Sequence, residues 1–243
     1  ELIPLSRVAD VEMYAGPKKI SRSNASRRQY VQMNVRGRDM GGVVQDLRKR
    51  IEEQVDMPPG YFVEFGGQFE NQERAMARLA IVVPITLALI FLLLFSAFSS
   101  LRYAVLIFMN VPFAITGGIV ALFVTGLYLS VPAAVGFIAV FGVAVLNGVV
   151  MVSYINQLRD EGYEVIEAVK LGAQRRLRPV LMTASVAILG LIPLLLADGI
   201  GSNVQRPLAT VVVGGLITST LLTLVVLPSV YQWFASERRD ISV

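Results

Sequence analysis

The 243 residues contain no cysteine and no histidine. The first absence excludes disulfides, thiolate nucleophiles and cysteine-based zinc sites. The second removes the usual imidazole base and metal ligand. Charge is also missing over one long stretch: between Ala80 and Leu158 the only charged residue is Arg102. Thirteen of the 22 Lys/Arg and eleven of the 18 Asp/Glu lie before Ala80. A soluble domain does not run that far almost uncharged, whereas a set of membrane spans does. The net charge of +4 therefore does not point to nucleic acid, because it follows from arginines in loops. No nucleic-acid partner and no cofactor are expected.

What is present instead is apolar sequence, 54% of the chain. Five runs, 80–98, about 103–125, about 133–155, 179–197 and about 208–234, each approach the ~20 residues that a bilayer core requires. Pro84, Pro112, Gly117, Gly118, Pro193, Gly214 and Gly215 interrupt them, which membrane helices tolerate where neighbours cover the freed backbone groups. Gly215, Ser219 and Thr223 recur at four-residue spacing, a small-residue face suited to close helix packing.

Residues 1–79 read as the water-exposed part. The segment 27–37 alternates Tyr30, Gln32 and Asn34 with Val31, Met33 and Val35, the period of a half-buried strand. Asp39 can cap a helix whose Val43, Val44, Leu47, Ile51 and Val55 form an apolar stripe. The MPPG stretch at 57–60 ends that helix, and 61–65 is strand-like again. This strand–helix–strand unit has too few strands to close a core. Residues 66–79 then form a turn and a polar helix leading into the first span. With Glu1 first and no leader, the chain reads as the C-terminal part of a longer membrane protein.

Loop charge sets the orientation. Arg102, Arg159, Lys170, Arg175, Arg176, Arg178, Arg238 and Arg239 fall on one side of the five spans and Arg206 on the other. Eight against one places the charged set in the cytoplasm, the C-terminal tail 235–243 with it, and the N-terminal region outside. Between spans three and four, acidic Asp160, Glu161, Glu164 and Glu167 precede basic Lys170, Arg175, Arg176 and Arg178, which suits a helix macrodipole. With Val165, Ile166 and Val169 as an apolar stripe, a cytoplasmic surface helix at about 160–176 is expected.

Three polar residues stand out near this segment. Asn147 is a lone amide in an apolar span; it has the makings of an interhelical hydrogen bond, worth ~0.6 to 2 kcal/mol, or of a functional group. Arg176, with its neighbours, is a candidate interface anchor whose head snorkels to water. Thr183 sits seven residues after Arg176, on the same helix face, where its hydroxyl either back-bonds to its own helix or faces the bundle interior. No Asp or Glu lies inside a span. The eight methionines, candidate soft ligands for monovalent metals, form no tight cluster, and no metal ligand is assigned.

The stretches GVAVLNGVVMVSYINQLRDEG (142–162), RRLRPVLMTASVAILGLIPL (175–194) and GSNVQRPLATVVVGGLITSTLLTLVVLPSVY (201–231) resemble the last helices of resistance–nodulation–division (RND) efflux permeases. FGGQFENQERA (65–75) and VQRPLATVVVGG (204–215) resemble the heavy-metal, CzcA/CusA-like branch. The resemblance covers the whole chain. It implies a membrane α-helical bundle of five transmembrane helices, at 80–234, preceded by part of a periplasmic α+β (ferredoxin-like) porter subdomain, 1–79. It implies a homotrimer in the bacterial inner membrane, not an enzyme, exporting metal cations against protons with a periplasmic adaptor and an outer-membrane channel. An RND drug exporter and a non-transporting RND-like accessory membrane protein are the alternatives.

In drug-exporting relatives of this family a lysine, an asparagine, an arginine and a threonine surround the proton-relay acids. The resemblance carries Asn147, Arg176 and Thr183 into those supporting roles, the acids themselves belonging to a helix outside this chain. Leu146 stands where the lysine would be, which argues against a drug exporter. The copper/silver group would carry an acid there, so Leu146 favours divalent zinc, cobalt, cadmium or nickel.

Overall fold

The computed structural model describes all residues except 1, 2, 5, 6, 11, 13–15, 17, 18, 36, 200 and 236–243, so the expected tail lies outside the described residues apart from Ala235. Two compact units are separable, 1–51 and 52–243.

The first contains a hairpin of β1, Ser21–Ser23, and β2, Ser26–Arg28, in antiparallel register with Ser23 opposite Ser26. Its two-residue turn, Asn24–Ala25, has φ of 49° and 65°. Helix α1, Met40–Gln54, begins as expected at Asp39, whose Oδ2 accepts from the Gly42 amide at 2.7 Å. The ferredoxin-like expectation is otherwise barely met. Residues 31–35 and 61–65 are not strands, and Tyr30, Val31, Met33, Tyr61 and Phe62 are exposed. Alternation makes a strand only when a neighbouring strand takes its amides and a helix covers one face, and no such partner is found among the described residues.

The second unit is helical, with five stretches long and apolar enough to cross a membrane: Gln68–Phe98, Leu101–Thr125, Val131–Asp160, Val165–Leu195 and Ser202–Phe234. The polar lead-in and the first span form one helix, α2, Gln68–Phe98, stapled at its start by Arg74 on Glu70 at 3.0 Å. The second span is two helices end to end, α3, Leu101–Phe108, and α4, Asn110–Thr125. Pro112 explains the break, since its ring excludes the carbonyl four residues earlier, that of Phe108. Ser130 caps α5, Val131–Asp160, by accepting from the Ala133 amide, with Pro132 in the first turn. The last span comprises α7, Ser202–Leu221, a π-helical turn at Leu222–Val226, and α8, Leu227–Phe234. Pro228 displaces the carbonyl of Leu224, and the widened π turn accommodates it.

Helix α6, Val165–Leu195, differs from expectation. The segment expected as a separate surface helix at about 160–176 is divided. Asp160 ends α5, Gly162 turns the chain at φ 103°, and residues 165–176 continue through Pro179 into the fourth span. A proline removes one backbone bond without ending a helix whose other turns are held by packing. Here Ala168, Val169 and Gly172 are buried, and a Cβ on Gly172 would meet Ile155 of α5 at 2.8 Å.

Glycines hold the bundle's centre together. A Cβ on Gly117 of α4 would lie 2.5 Å from the Gly214 carbonyl oxygen of α7, and one on Gly214 would lie 2.6 Å from the Gly117 oxygen. The two backbones are therefore in contact, and Thr218 Oγ1 donates across the seam to the Phe113 oxygen at 2.9 Å. On the adjoining face of the last span, Gly215 and Ser219 of α7 and Thr223 of the π turn are all buried, the packing role that their spacing suggested. The larger apolar core joins Ile107, Phe141, Met151, Val152, Ile155, Leu158 and Tyr231. By contrast α2 and α6 are little covered: 6% and 11% of their most apolar windows are buried, against 44–56% for the other three spans.

Candidate coupling site

Two turns of helix separate Asn147 from Tyr154 on α5, and two turns separate Arg176 from Thr183 on α6. The structure joins the inner members of these pairs. The Arg176 guanidinium lies 4.6 Å over the Tyr154 ring, and Arg175 Nη1 donates to the Tyr154 hydroxyl at 2.8 Å. From that contact α5 runs back two turns to Asn147 and α6 runs on two turns to Thr183, about 10 Å along each helix from the arginine layer.

The three sequence candidates are not bonded to one another. Asn147 is half-buried and makes no side-chain hydrogen bond to the described residues. Thr183 is exposed, and its hydroxyl donates to the Val180 oxygen of its own helix at 3.0 Å. Arg176 is half-buried and occupied by Tyr154. Leu146, beside Asn147, is 59% exposed, and Met182, beside Thr183, 58%. The layer opens on the little-covered side of the bundle. Chemically it offers amide and hydroxyl groups able to bond a carboxylate presented from outside this chain, with a guanidinium two turns away. Among the described residues no carboxylate is bonded to it: Asp198 pairs with Arg206 at 3.3 Å, at the ends of α6 and α7. Among the described residues no three carboxylates gather closely enough to hold a metal ion.

Two further polar groups escaped sequence reasoning. Behind Asn147, fully buried Asn110 donates from Nδ2 to the Ile107 oxygen at 3.0 Å and accepts on Oδ1 from Thr223 Oγ1 at 3.1 Å. Its sequence signal is an amide two residues before Pro112, where the helix is interrupted. Toward the arginine layer, Tyr231 of α8 stacks on Tyr103 of α3 at 5.7 Å between centroids. Its hydroxyl donates to Asn156 Oδ1 of α5, and Arg159 Nη1 donates to the Tyr103 hydroxyl at 3.1 Å. Arg159, read from sequence only as a loop charge, thus ties three helices together. Nothing in the sequence pairs residues 103, 156 and 231.

Five stretches long and apolar enough to cross a membrane, the central ones in close contact at glycines, define a polytopic membrane protein. The family model for the AcrB/AcrD/AcrF family matches residues 1–235, and the chain belongs to that family. It is similar to the cobalt-zinc-cadmium resistance protein CzcA of Cupriavidus metallidurans, 54% identical over 98% of this chain and 22% of the relative. The nickel and cobalt resistance protein CnrA of the same organism is 48% identical over 93% of this chain and 21% of its own length. Among solved structures, a crystal structure of a heavy metal efflux pump superposes with a TM-score of 0.71 at 55% identity, covering 83% of this chain and 20% of the pump. The chain spans about a fifth of the length of these relatives, and its kinship is with the heavy-metal members of the family.

Proposed function

We propose that the chain forms part of a proton-driven inner-membrane pump exporting divalent metal cations, with zinc, cobalt, cadmium and nickel favoured over copper and silver. The observation that carries this reading is identity of about half along nearly the whole chain to relatives named for resistance to cobalt, zinc, cadmium and nickel. Leu146, in place of lysine or an acid, supports the same choice. In this reading Asn147 and Thr183 bond the charged form of a relay carboxylate on a helix outside this chain, and Arg176, held by Tyr154, biases its charge from the cytoplasmic side. Residues 1–79 complete a porter subdomain with strands from the rest of the permease. The whole pump works as a homotrimer with a periplasmic adaptor and an outer-membrane channel.

The test is transport by the full-length permease in proteoliposomes under an imposed pH gradient. Zinc, cobalt, cadmium or nickel should move at rates that collapse when a protonophore dissipates the gradient. Movement of copper(I) or silver(I) alone overturns the metal preference, and transport indifferent to the protonophore overturns proton coupling.

A further inference from the structure

Asn110, Thr223 and Ser219 are each 0% exposed, inside two spans and away from the open face that carries Asn147 and Thr183. Thr223 Oγ1 lies 3.1 Å from Asn110 Oδ1 and 2.8 Å from the Ser219 oxygen, so its one proton is shared between two acceptors. Each partner stands at an irregular point. Asn110 is the first residue after the break at Met109, and Thr223 lies within the π-helical turn Leu222–Val226. Such interruptions of the helical ladder are frequent at functional sites. The bond therefore ties the interruption of α3–α4 to the π-helical turn of α7–α8.

The same carboxamide is also wedged against α5. A Cβ on Gly148 would stand 2.7 Å from Asn110 Nδ2 and 3.0 Å from Ile107 Cγ2, so the α5 backbone rests directly on this pair. Gly148 follows Asn147. Any shift of the Asn110–Thr223 pair displaces the α5 backbone one residue from the amide that faces the coupling layer.

We propose that Asn110 and Thr223 are positioning residues for Asn147: bonded to each other across two helix irregularities, they hold the α5 backbone at Gly148 in the register and rotation that present the Asn147 amide to its carboxylate. The inference rests on the coupling role proposed for Asn147. A purely structural pair would lower stability and leave the proton dependence of transport unchanged.

The experiment uses the full-length permease in proteoliposomes, with whichever of zinc, cobalt, cadmium and nickel gives the highest wild-type rate, measured across a pH series beside a thermal melt of each variant. Asn110→Leu and Thr223→Val should lower transport about 2- to 30-fold, the range of mutations that act through a coupled network, and displace the pH profile. Thr223→Ser, which keeps the hydroxyl, should keep both rate and profile. Because Asn110 acts through Asn147, the Asn110→Leu/Asn147→Ala double variant should be no slower than Asn147→Ala alone. Wild-type pH profiles for Asn110→Leu and Thr223→Val, whatever their melting temperatures, overturn the proposal, as do losses that multiply in the double variant. An impaired Asn147→Ala beside wild-type Asn110→Leu and Thr223→Val sinks the positioning role alone. A wild-type Asn147→Ala sinks the coupling reading and this inference with it. Should Asn110→Leu fail to assemble, the contrast between Thr223→Val and Thr223→Ser decides the matter in the same way.

Discussion

Thr183 donates its hydroxyl to its own helix at Val180, a bond that leaves the oxygen lone pairs outward and the proton one χ1 rotation from a new acceptor. If that acceptor is an ionised relay carboxylate, removing the hydroxyl costs ~1.5 to 3 kcal/mol of support for the charged form. Thr183→Val, equal in shape, should then cut metal export by the full-length pump strongly without reducing the amount assembled in the membrane, while Thr183→Ser retains much of it. Export by Thr183→Val at the wild-type rate would return the residue to packing. Tyr154 makes a second test at this scale. Tyr154→Phe keeps the ring under Arg176 and loses only the bond from exposed Arg175, so transport should stay near wild type. Tyr154→Leu removes the ring and should slow transport about 2- to 5-fold, the rate equivalent of ~0.5–1 kcal/mol. Equal rates for the two variants would show that the ring does not orient Arg176. Asn147 and Thr183 were legible as polar residues inside spans and Arg176 as a charge in the connection before the fourth, and the seven-residue spacing of Arg176 and Thr183 put them on one face. Tyr154 was not, because an aromatic near a membrane interface is ordinary until an arginine is seen above it.

At the scale of elements, α4 and α7 touch through Gly117 and Gly214, with no side chain between them. A methyl on Gly117 would stand 2.0 Å from Thr218 Oγ1, and one on Gly214 would stand 2.4 Å from the Ala121 Cβ. Neither helix can yield without parting from the other, and the Thr218–Phe113 bond breaks when they part. Gly117→Ala and Gly214→Ala should each destabilise the detergent-solubilised protein by about 1–3 kcal/mol, read as a lower melting temperature. An unchanged melting temperature for both would mean that the seam is looser than drawn. The glycines themselves were visible in sequence, as was the Gly215–Ser219–Thr223 face. Their partners were not, since a small residue states that something comes close and not what. The segment 160–176 shows the opposite failure. Its charge order and its apolar stripe suggested a separate helix, yet the burial of Ala168 and Val169 and the close approach of Gly172 to Ile155 of α5 go with a helix that continues into the span.

For the whole molecule, charge in the connections predicts an orientation that is open to direct measurement. Reporters fused after Ser100 and after Glu167 should report cytoplasm, and one after Thr125 should report periplasm, because eight of the nine Lys/Arg beyond residue 80 lie on one side of the five spans. A cytoplasmic signal from the fusion after Thr125 would overturn the five-span arrangement. The uncovered faces of α2 and α6 agree with a chain about a fifth as long as the relatives it matches.

The number of spans, the little-charged run from residue 80 to 158 and the likeness to metal-efflux permeases were all determined by the sequence itself. Hydrophobic length and loop charge are local quantities, read one window at a time. Which residues meet was decided only by the tertiary structure. The pairs Asn110–Thr223, Tyr103–Tyr231 and Arg176–Tyr154 join residues from 22 to 128 positions apart, through hydrogen bonds and ring contacts that exist only once the helices are packed. The N-terminal region shows the same limit from the other side. Its alternating residues specify a strand in pattern, but a strand needs a partner for its amides, and a pattern cannot supply one.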